Sequence, residues 1–375
     1  MTAIPPVWGP APIPMKASSR NHLNSLDGLR ALSILLVILS HSAGALGIGD
    51  RLHLFGYIGH LGVSIFFVIS GLLISWLMIR ERDVTGNVSL RDFYVRRALR
   101  ILPVFWVFLL CVLGLKRAHV IALSGFDLVR AFTFTRNYPI WVHGQEYSWW
   151  LNHVWSLSLE EQFYLVWPGL FAYLSRRGSR YFAVTVALAG PVLRLGSYYL
   201  LPGLRGYGRG MFHTSIDILM MGCVAAFVMD SPGWRARLKK IPANAVVLVS
   251  VLFLFGVEPW ILGRLGPHTL GNALAEVFMP TFEGGMIGAC VLVLVIGAGG
   301  MVRGVLNQPL LMHVGKISYG LYLWQQFFFV PGSASGFAAV LWRWLAVYLI
   351  ATGSFYFLER PMMGLRKKFR RVPVE

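Results

Sequence analysis

Long apolar runs alternate with short polar or basic segments along most of the chain. A helix that crosses the roughly 30 Å hydrocarbon core of a bilayer needs about 20 mostly apolar residues, because each residue adds about 1.5 Å. Runs of about this length lie near residues 30–48, 62–79, 101–117, 154–174, 181–201, 213–229, 243–260, 277–298, 314–331 and 338–358. The pattern therefore predicts an all-α, polytopic integral membrane protein of about ten transmembrane helices.

The composition agrees with this prediction. Of the 375 residues, 56% are hydrophobic and 13% are charged, and the mean hydropathy is +0.62. These values exclude an ordinary soluble globular protein. The formal net charge is +18, but the basic residues stand in short clusters between apolar runs. A nucleic-acid-binding protein would concentrate them on one soluble face, so we expect the lipid bilayer, and no nucleic acid, as a partner.

The basic clusters also predict the orientation of the helices. If the N-terminus is cytoplasmic, about 24 of the 34 basic residues fall on the cytoplasmic side, as the positive-inside rule requires. We therefore expect a multi-pass protein of the cell (inner) membrane with both termini in the cytoplasm.

Three regions are expected along the chain. Residues 1–23 are rich in proline and predict a disordered cytoplasmic tail, residues 24–365 the transmembrane domain, and residues 366–375 a basic cytoplasmic tail. The longest connection, residues 118–152, lies outside in this topology. The aromatic and polar residues in and next to it are typical of either an interfacial belt or a binding surface: Trp141, His143, Glu146, Trp149, Trp150 and His153.

The first apolar segment carries two polar residues on one face. Arg30 and His41 are eleven residues apart, so in a helix they point the same way and lie about 16 Å apart along the axis. Arg30 is compatible with a topology anchor, and His41 with a helix-packing residue. However, histidine is also the side chain whose ordinary pKa suits proton transfer near neutral pH.

A second cationic face lies at the start of the third apolar segment. Ser89 to Asp92 is a capping-box type of helix start, and Arg96, Arg97 and Arg100 follow at helical spacing. Such a cluster is typical of the cytoplasmic end of a membrane helix. Guanidinium groups also suit the phosphates of a nucleotide-like donor such as coenzyme A.

Acidic residues inside apolar segments are the other candidates for chemistry. Glu160 and Glu161 stand together in the segment Trp155 to Leu165, where unpaired charges are costly. Helical spacing places Ser156, His153 and Glu160 on one face and turns Glu161 about 100° away, as a structural partner. Asp217 lies inside the sixth apolar segment.

Several of these stretches resemble membrane-bound acyltransferase family 3, whose first span has a basic residue, ten intervening residues and a histidine. The similarity extends over about residues 24–365. It includes Arg97 and Arg100 as a paired-arginine motif, and the stretches Asp27 to His41, Gly62 to Gly71, Trp155 to Leu165, Ile317 to Gln325 and Phe357 to Pro361.

The resemblance implies an O-acyltransferase that moves an acyl group, commonly acetyl, from acyl-CoA to a hydroxyl of an extracytoplasmic glycan or a small-molecule acceptor. It implies that His41 is the general base, with Glu160 and Arg30 as further catalytic residues, and that Arg97 and Arg100 bind the donor. It implies supporting roles for Asp27, Ser156, Glu161, Asp217, Ser318 and Tyr322. It implies no bound cofactor and no metal; acyl-CoA is the donor substrate.

This sequence departs from the family pattern at two positions. Glutamine stands at 325, where the family leads us to expect histidine. Asp217 resembles a recurrent aspartate of the family, but the arginine that often closely precedes that aspartate is missing here. Position 325 therefore cannot supply acid–base chemistry, and the partner of Asp217 stays open.

A different class of function also fits the polar residues. Arg30, His41, Glu160 and Asp217 are compatible with a proton-coupled transporter of an anionic solute. The chain has no Gly-x-Ser-x-Gly and no His-Glu-x-x-His motif, and its three cysteines have no ligand spacing. Neither a serine hydrolase nor a zinc mechanism is therefore indicated. Release of free thiol from acyl-CoA separates the enzyme from the transporter.

Overall fold

Helices form most of the described chain. A computed structural model describes residues 18–48, 53–138, 148–204, 210–265, 269–297, 300–369 and 371. Its helices are α1 (Ser18–Ala45), α2 (His53–Thr85), α3 (Leu90–Arg117), α4 (Gly125–Phe132), α5 (Val154–Tyr173), α6 (Arg176–Leu200), α7 (Phe212–Asp230), α8 (Pro232–Leu238), α9 (Ala243–Leu252), α10 (Glu258–Arg264), α11 (Leu270–Ile296), α12 (Met301–Leu306), α13 (Pro309–Lys316), α14 (Ser318–Trp324), α15 (Phe337–Ser354) and α16 (Arg360–Leu365). No β-strand occurs within these ranges, and the predicted all-α class is confirmed.

Short irregular helices complete the architecture. Single 3₁₀ turns lie at Trp149–Leu151, Gln325–Phe327 and Arg366–Phe369. π-helical turns join α9 to α10 and α15 to α16. Of the outer-loop residues singled out in the sequence, Trp141, His143 and Glu146 lie outside the described residues, as do most of the first tail and positions 372–375.

Eight helical segments of the described chain are long and apolar enough to cross a membrane. They are α1, α2, α3, α6, α7, the joined α9–α10, α11, and the joined segment from α15 to residue 369. Two further segments predicted from the sequence contain α5, which carries the adjacent Glu160 and Glu161, and the short helices α13 and α14. The chain is a polytopic membrane protein.

Glycines allow the central helices to approach closely. A Cβ atom on Gly71 of α2 would lie 2.0 Å from the carbonyl oxygen of Leu219 in α7. In the opposite direction, one on Gly222 of α7 would lie 2.1 Å from the oxygen of Val68. Any side chain at either position would force the two helices apart. The small residues of the second apolar segment thus allow α2 and α7 to pack in close contact.

Two more glycines allow α1 to approach the short helices α12 and α13, which follow α11. A Cβ atom on Gly28 would lie 2.1 Å from the carbonyl oxygen of Leu306, and one on Gly315 would lie 1.9 Å from that of Asp27. The start of the polar face of α1 is thus fixed by backbone contact with α12 and α13.

The last described residues pack on the start of α3. Nη1 of Arg96 donates to the carbonyl oxygen of Phe369 at 2.6 Å, and Nε of Arg371 donates to Oδ2 of Asp92 at 2.9 Å. The hydroxyl of Ser89 accepts from the backbone N–H of Asp92 at 3.3 Å, which confirms the predicted helix start. The part of the basic tail that is described therefore lies against α3.

Candidate functional site

A cavity of about 700 Å³ lies among α1, α2, α3, α5 and α14. Seven of the residues selected from the sequence line it: Arg30, Arg97, Arg100, Ser156, Glu160, Ser318 and Tyr322. The other lining residues are Val63, Phe66, Phe67, Ser70, Ile101, Leu157, Tyr164 and Tyr319. Residues that are distant in sequence are thus brought around one space with both polar and aromatic walls.

Three arginines form the end of this cavity nearest the start of α3. Arg97 and Arg100 come from successive turns of α3, and Arg30 comes from α1. Arg30 lies 3.6 Å from Oδ1 of Asp27, one turn earlier on the same helix. The guanidinium carbon of Arg97 lies 4.1 Å from the ring centroid of Tyr164, within range of a cation–π interaction. The same three arginines also line a second cavity, of about 1050 Å³.

Glu160 is held by two hydroxyl groups. Tyr164, one turn later on α5, donates to Oε1 of Glu160 at 2.7 Å, and the hydroxyl of Ser70 on α2 donates to the same oxygen. A carboxylate inside a membrane domain is stabilised by such donors. Because Tyr164 also contacts Arg97, the carboxylate and the arginine cluster are connected through one ring.

Further along the cavity, Tyr322 joins α14 to the start of α5. Its hydroxyl donates to the carbonyl oxygen of His153 at 2.8 Å and lies 2.5 Å from the hydroxyl of Ser156. The imidazole of His153 is 3% exposed, with its ring centroid 5.4 Å from that of Tyr322. Neither ring nitrogen has a hydrogen-bond partner within the described ranges.

His41 lies beyond the cavity lining, where α1 meets the 3₁₀ turn after α14. Its Nδ1 lies 3.2 Å from Oε1 of Gln325. An amide oxygen only accepts, so this hydrogen bond requires the proton on Nδ1 and leaves the lone pair on Nε2. The Trp149 ring covers the imidazole edge-on, with 5.2 Å between ring centroids.

Two reciprocal hydrogen bonds, which we call the Trp149–Gln326 clasp, join the 3₁₀ turn that contains Trp149 to the 3₁₀ turn that contains Gln325. The indole Nε1 of Trp149 donates to the carbonyl oxygen of Gln326 at 2.9 Å, and the side-chain amide of Gln326 donates back to the carbonyl oxygen of Trp149. This Trp149–Gln326 clasp lies directly beside His41.

The candidate site thus contains an arginine cluster and a hydroxyl-bound carboxylate in one cavity and, outside the lining of that cavity, a histidine with a fixed tautomer. A family model described as an acyltransferase domain matches residues 23–360, which include every site residue selected from the sequence. The chain belongs to the acyltransferase 3 family. The resemblance stated from the motifs is confirmed.

Curated relatives of this acyltransferase carry related names. A Staphylococcus aureus (strain COL) protein named "Putative O-acetyltransferase SACOL0978" is 28% identical over 344 residues, which cover 82% of this chain and 51% of the relative. O-acetyltransferase OatA of S. aureus (strain NCTC 8325) is 27% identical over 385 aligned positions, covering 94% and 58%. The chain spans about half the length of these relatives. No solved structure matches it.

Asp217 of the acyltransferase lies in a separate buried network. Its carboxylate faces the guanidinium of Arg194 on α6, with distances of 3.2 Å and 3.0 Å for the two oxygens. Thr281 on α11 also donates to Oδ2 at 2.6 Å. Arg194 is thus the partner that the sequence left open, supplied by the preceding helix, and the network ties α6, α7 and α11 together.

Glu161 and Asp27 also lie beside the cavity instead of in its lining. Glu161 is half-buried, and its Oε1 has no hydrogen-bond partner within the described ranges. Asp27 pairs with Arg30 at the start of α1, as noted above.

Sequence reasoning missed four contacts of the candidate site residues. Ser70 and Tyr164 hold Glu160, Arg194 holds Asp217, and Gln325 holds His41. Tyr164 could have been found, because it lies one helical turn after Glu160. In the described part of the chain, no group of three or more histidine, cysteine or acidic residues is placed to hold a metal ion.

Proposed function

We propose that this acyltransferase is an integral membrane O-acyltransferase, which moves an acyl group, acetyl in the simplest case, from cytoplasmic acyl-CoA to a hydroxyl of an acceptor on the outer side. The observation that carries the proposal is the cavity that brings Arg30, Arg97 and Arg100 together with Glu160 and Tyr322. The printed names of the relatives support transfer of acetyl to oxygen.

The arginines bind the donor in this proposal. Acyl-CoA carries a diphosphate and a further phosphate, and guanidinium groups bind phosphate oxygens through paired, charge-assisted hydrogen bonds. Arg97 and Arg100 project from adjacent turns of one helix, and Arg30 faces them across the cavity. Phosphates bound there would leave the thioester end of the donor free to extend toward Glu160 and Tyr322.

His41 is the general base. Gln325 holds the proton on Nδ1, so Nε2 can accept the proton of the acceptor hydroxyl. As that proton leaves, the hydroxyl oxygen forms a bond to the thioester carbonyl carbon, and the carbon–sulfur bond then breaks. The leaving thiolate takes up a proton, so the products are an ester and free coenzyme A thiol.

Glu160 acts as a positioning and charge-balancing residue. Its hydrogen-bond partners are Ser70 and Tyr164, whereas His41 is oriented by Gln325. The carboxylate sits in a wall that otherwise presents three cations, and it fixes the ring on which Arg97 packs. It therefore stabilises the arginine cluster before and after the polyanionic donor binds.

Thiol release tests the proposal. Purified protein in detergent is given acetyl-CoA together with a hydroxyl acceptor such as an oligosaccharide, and free thiol and ester are both measured. The proposal requires both products in equal amounts. A transporter that binds acyl-CoA as an anionic solute would release neither, and thiol without ester would indicate hydrolysis. The acceptor itself is identified by mass spectrometry of envelope glycans from cells with and without the gene.

A further inference from the structure

The second cavity is lined by the half of α2 that follows Gly71, the start of α3 and the last described residues of the chain. Its lining contains six arginines and one carboxylate, Glu81: Arg30, Arg96, Arg97, Arg100, Arg366 and Arg371. The remaining walls are apolar, with Trp76 and Phe93 among them. This cavity, which is partly open and has about 1050 Å³ of empty space, therefore has a strongly cationic lining.

The C-terminal segment, of which residues 366–369 and 371 are described, is held in place at this cavity. Arg96 donates to the carbonyl oxygen of Phe369, and Arg371 donates to Asp92 and, at 3.2 Å, to Oδ1 of Asn87. The segment therefore presents Arg366 and Arg371 to the cavity from a fixed position on α3.

The charges that line the second cavity favour the binding of an anion. Arg96 pairs with Glu81 at 3.2 Å, Arg371 with Asp92, and Arg30 with Asp27, yet the lining holds far more positive than negative charge. Like charges around one space repel each other, most strongly where water is scarce. A polyanion bound among them removes that repulsion, so the arrangement favours a ligand with more than one phosphate.

The walls indicate what the phosphates are attached to. Trp76, which is half-buried, supplies an aromatic wall of a kind that a planar base can stack on, and arginines line the cavity beside it. Arg30, Arg97 and Arg100 line both cavities, so the two cavities adjoin at these three arginines.

We infer that the C-terminal segment forms, through Arg366 and Arg371, a subsite for the phosphoadenosine end of the acyl donor. The inference rests on the proposed function, because it treats the two cavities as one donor site. The nucleotide lies in the second cavity against Trp76, and Arg97 and Arg100 hold the diphosphate at the junction. The pantetheine arm extends into the first cavity.

Binding of adenosine 3′,5′-bisphosphate, measured by calorimetry on the full-length protein in detergent, tests the subsite without requiring turnover. Arg366→Ala and Arg371→Ala should each weaken binding roughly tenfold, the typical effect of losing one charge-assisted phosphate contact. Arg366→Lys should keep part of the affinity. Arg235→Ala, an exposed arginine of α8 on the same predicted side, is the matched control and should bind like the wild type.

A kinetic comparison separates nucleotide contact from a structural role, since Arg371 also anchors the segment. Both alanine variants should raise KM for acetyl-CoA and leave KM for acetyl-pantetheine, which lacks the nucleotide, unchanged. Equal losses with both donors, or no loss of nucleotide affinity in either variant, would overturn the inference. Nucleotide binding that is no tighter than binding of inorganic pyrophosphate would also overturn it. If the nucleotide binds as expected but acetyl-CoA releases no thiol, the subsite stands and the proposed transfer fails.

Discussion

Nδ1 of His41 lies 3.2 Å from the carboxamide oxygen of Gln325, although 284 residues separate them in the sequence. The family leads us to expect histidine at position 325, and here a residue that cannot exchange protons near neutral pH takes that place. Gln325 can still orient His41, because its carboxamide oxygen fixes the tautomer of the imidazole.

This contact gives the first prediction. Gln325→Met keeps the length of the side chain but removes the acceptor, so His41 can place its proton on either nitrogen and loses its orientation. We expect kcat to fall by about tenfold, equivalent to about 1.4 kcal/mol, while KM for acyl-CoA changes little. Gln308→Met, at an exposed position before α13, is the control. Unchanged kcat in the Gln325 variant would show that the tautomer is fixed by something else.

Removal of His41 itself should have a larger effect. His41→Ala takes away the general base, which typically contributes a factor of about 10²–10⁴. Thiol release by purified, monodisperse variant is the measurement, and donor binding should persist because the arginines are intact. His313→Ala, which alters a histidine of α13 outside both cavities, should retain wild-type activity. Near-wild-type turnover of the His41 variant would show that His41 is a helix-packing residue and not the general base.

The paired arginines of α3 should control donor affinity. Arg97→Ala or Arg100→Ala removes a phosphate contact worth about 1.5–3 kcal/mol, so acyl-CoA should bind roughly ten- to a hundredfold more weakly. Equilibrium binding of a non-hydrolysable acyl-CoA analogue measures this directly. If both variants bind it as tightly as the wild type, the two residues serve the orientation of the helix in the membrane.

The Arg194–Asp217 pair should matter for stability instead of chemistry. Arg194→Ala leaves the Asp217 carboxylate buried among α6, α7 and α11, and breaking a buried ion pair typically costs about 3–5 kcal/mol. We expect a clearly lower thermal unfolding temperature in detergent, with thiol release per folded molecule retained. The exposed pair of Asp83 and Arg176 offers a control, since Asp83→Ala should cost about 1 kcal/mol or less. A loss of turnover at unchanged stability would assign Asp217 to catalysis.

The orientation in the membrane can be tested with two matched valines. Val120, after α3, and Val84, near the end of α2, are 67% and 65% exposed. In a cysteine-free background, an impermeant thiol reagent added to intact cells should label Val120→Cys and spare Val84→Cys. The opposite pattern would invert the proposed topology and move His41 to the cytoplasmic half.

The sequence predicted those parts of the site that depend on spacing within one helix. Arg97 and Arg100 lie three residues apart, and Ser156 and Glu160 four apart, so each pair had to share a face. Both pairs line the same cavity. The motif resemblance added the expectation that these faces serve one reaction, which stays a prediction, whereas the family itself is confirmed.

Pairing between helices could not be predicted in the same way. Spacing gave the face of its own helix on which Glu160 or His41 lies, but which side chain each one meets depends on how the helices rotate against each other. Glu160 meets Ser70 and Tyr164, and His41 meets Gln325. Arg194 was overlooked as the partner of Asp217 because it lies 23 residues earlier, on another helix. Gly190 could have been a signal, since any Cβ there would collide with Asp217.

The Trp149–Gln326 clasp has a consequence for the cell that is separate from catalysis. Many biological membranes store energy as an ion gradient, and an open polar passage through such a membrane would discharge that gradient. The paired hydrogen bonds of the clasp and the indole ring packed edge-on against His41 enclose this histidine, and the arginines of the second cavity repel cations. In the proposed topology, these two features would let a donor and an acceptor meet from opposite sides of the membrane without a leak of ions.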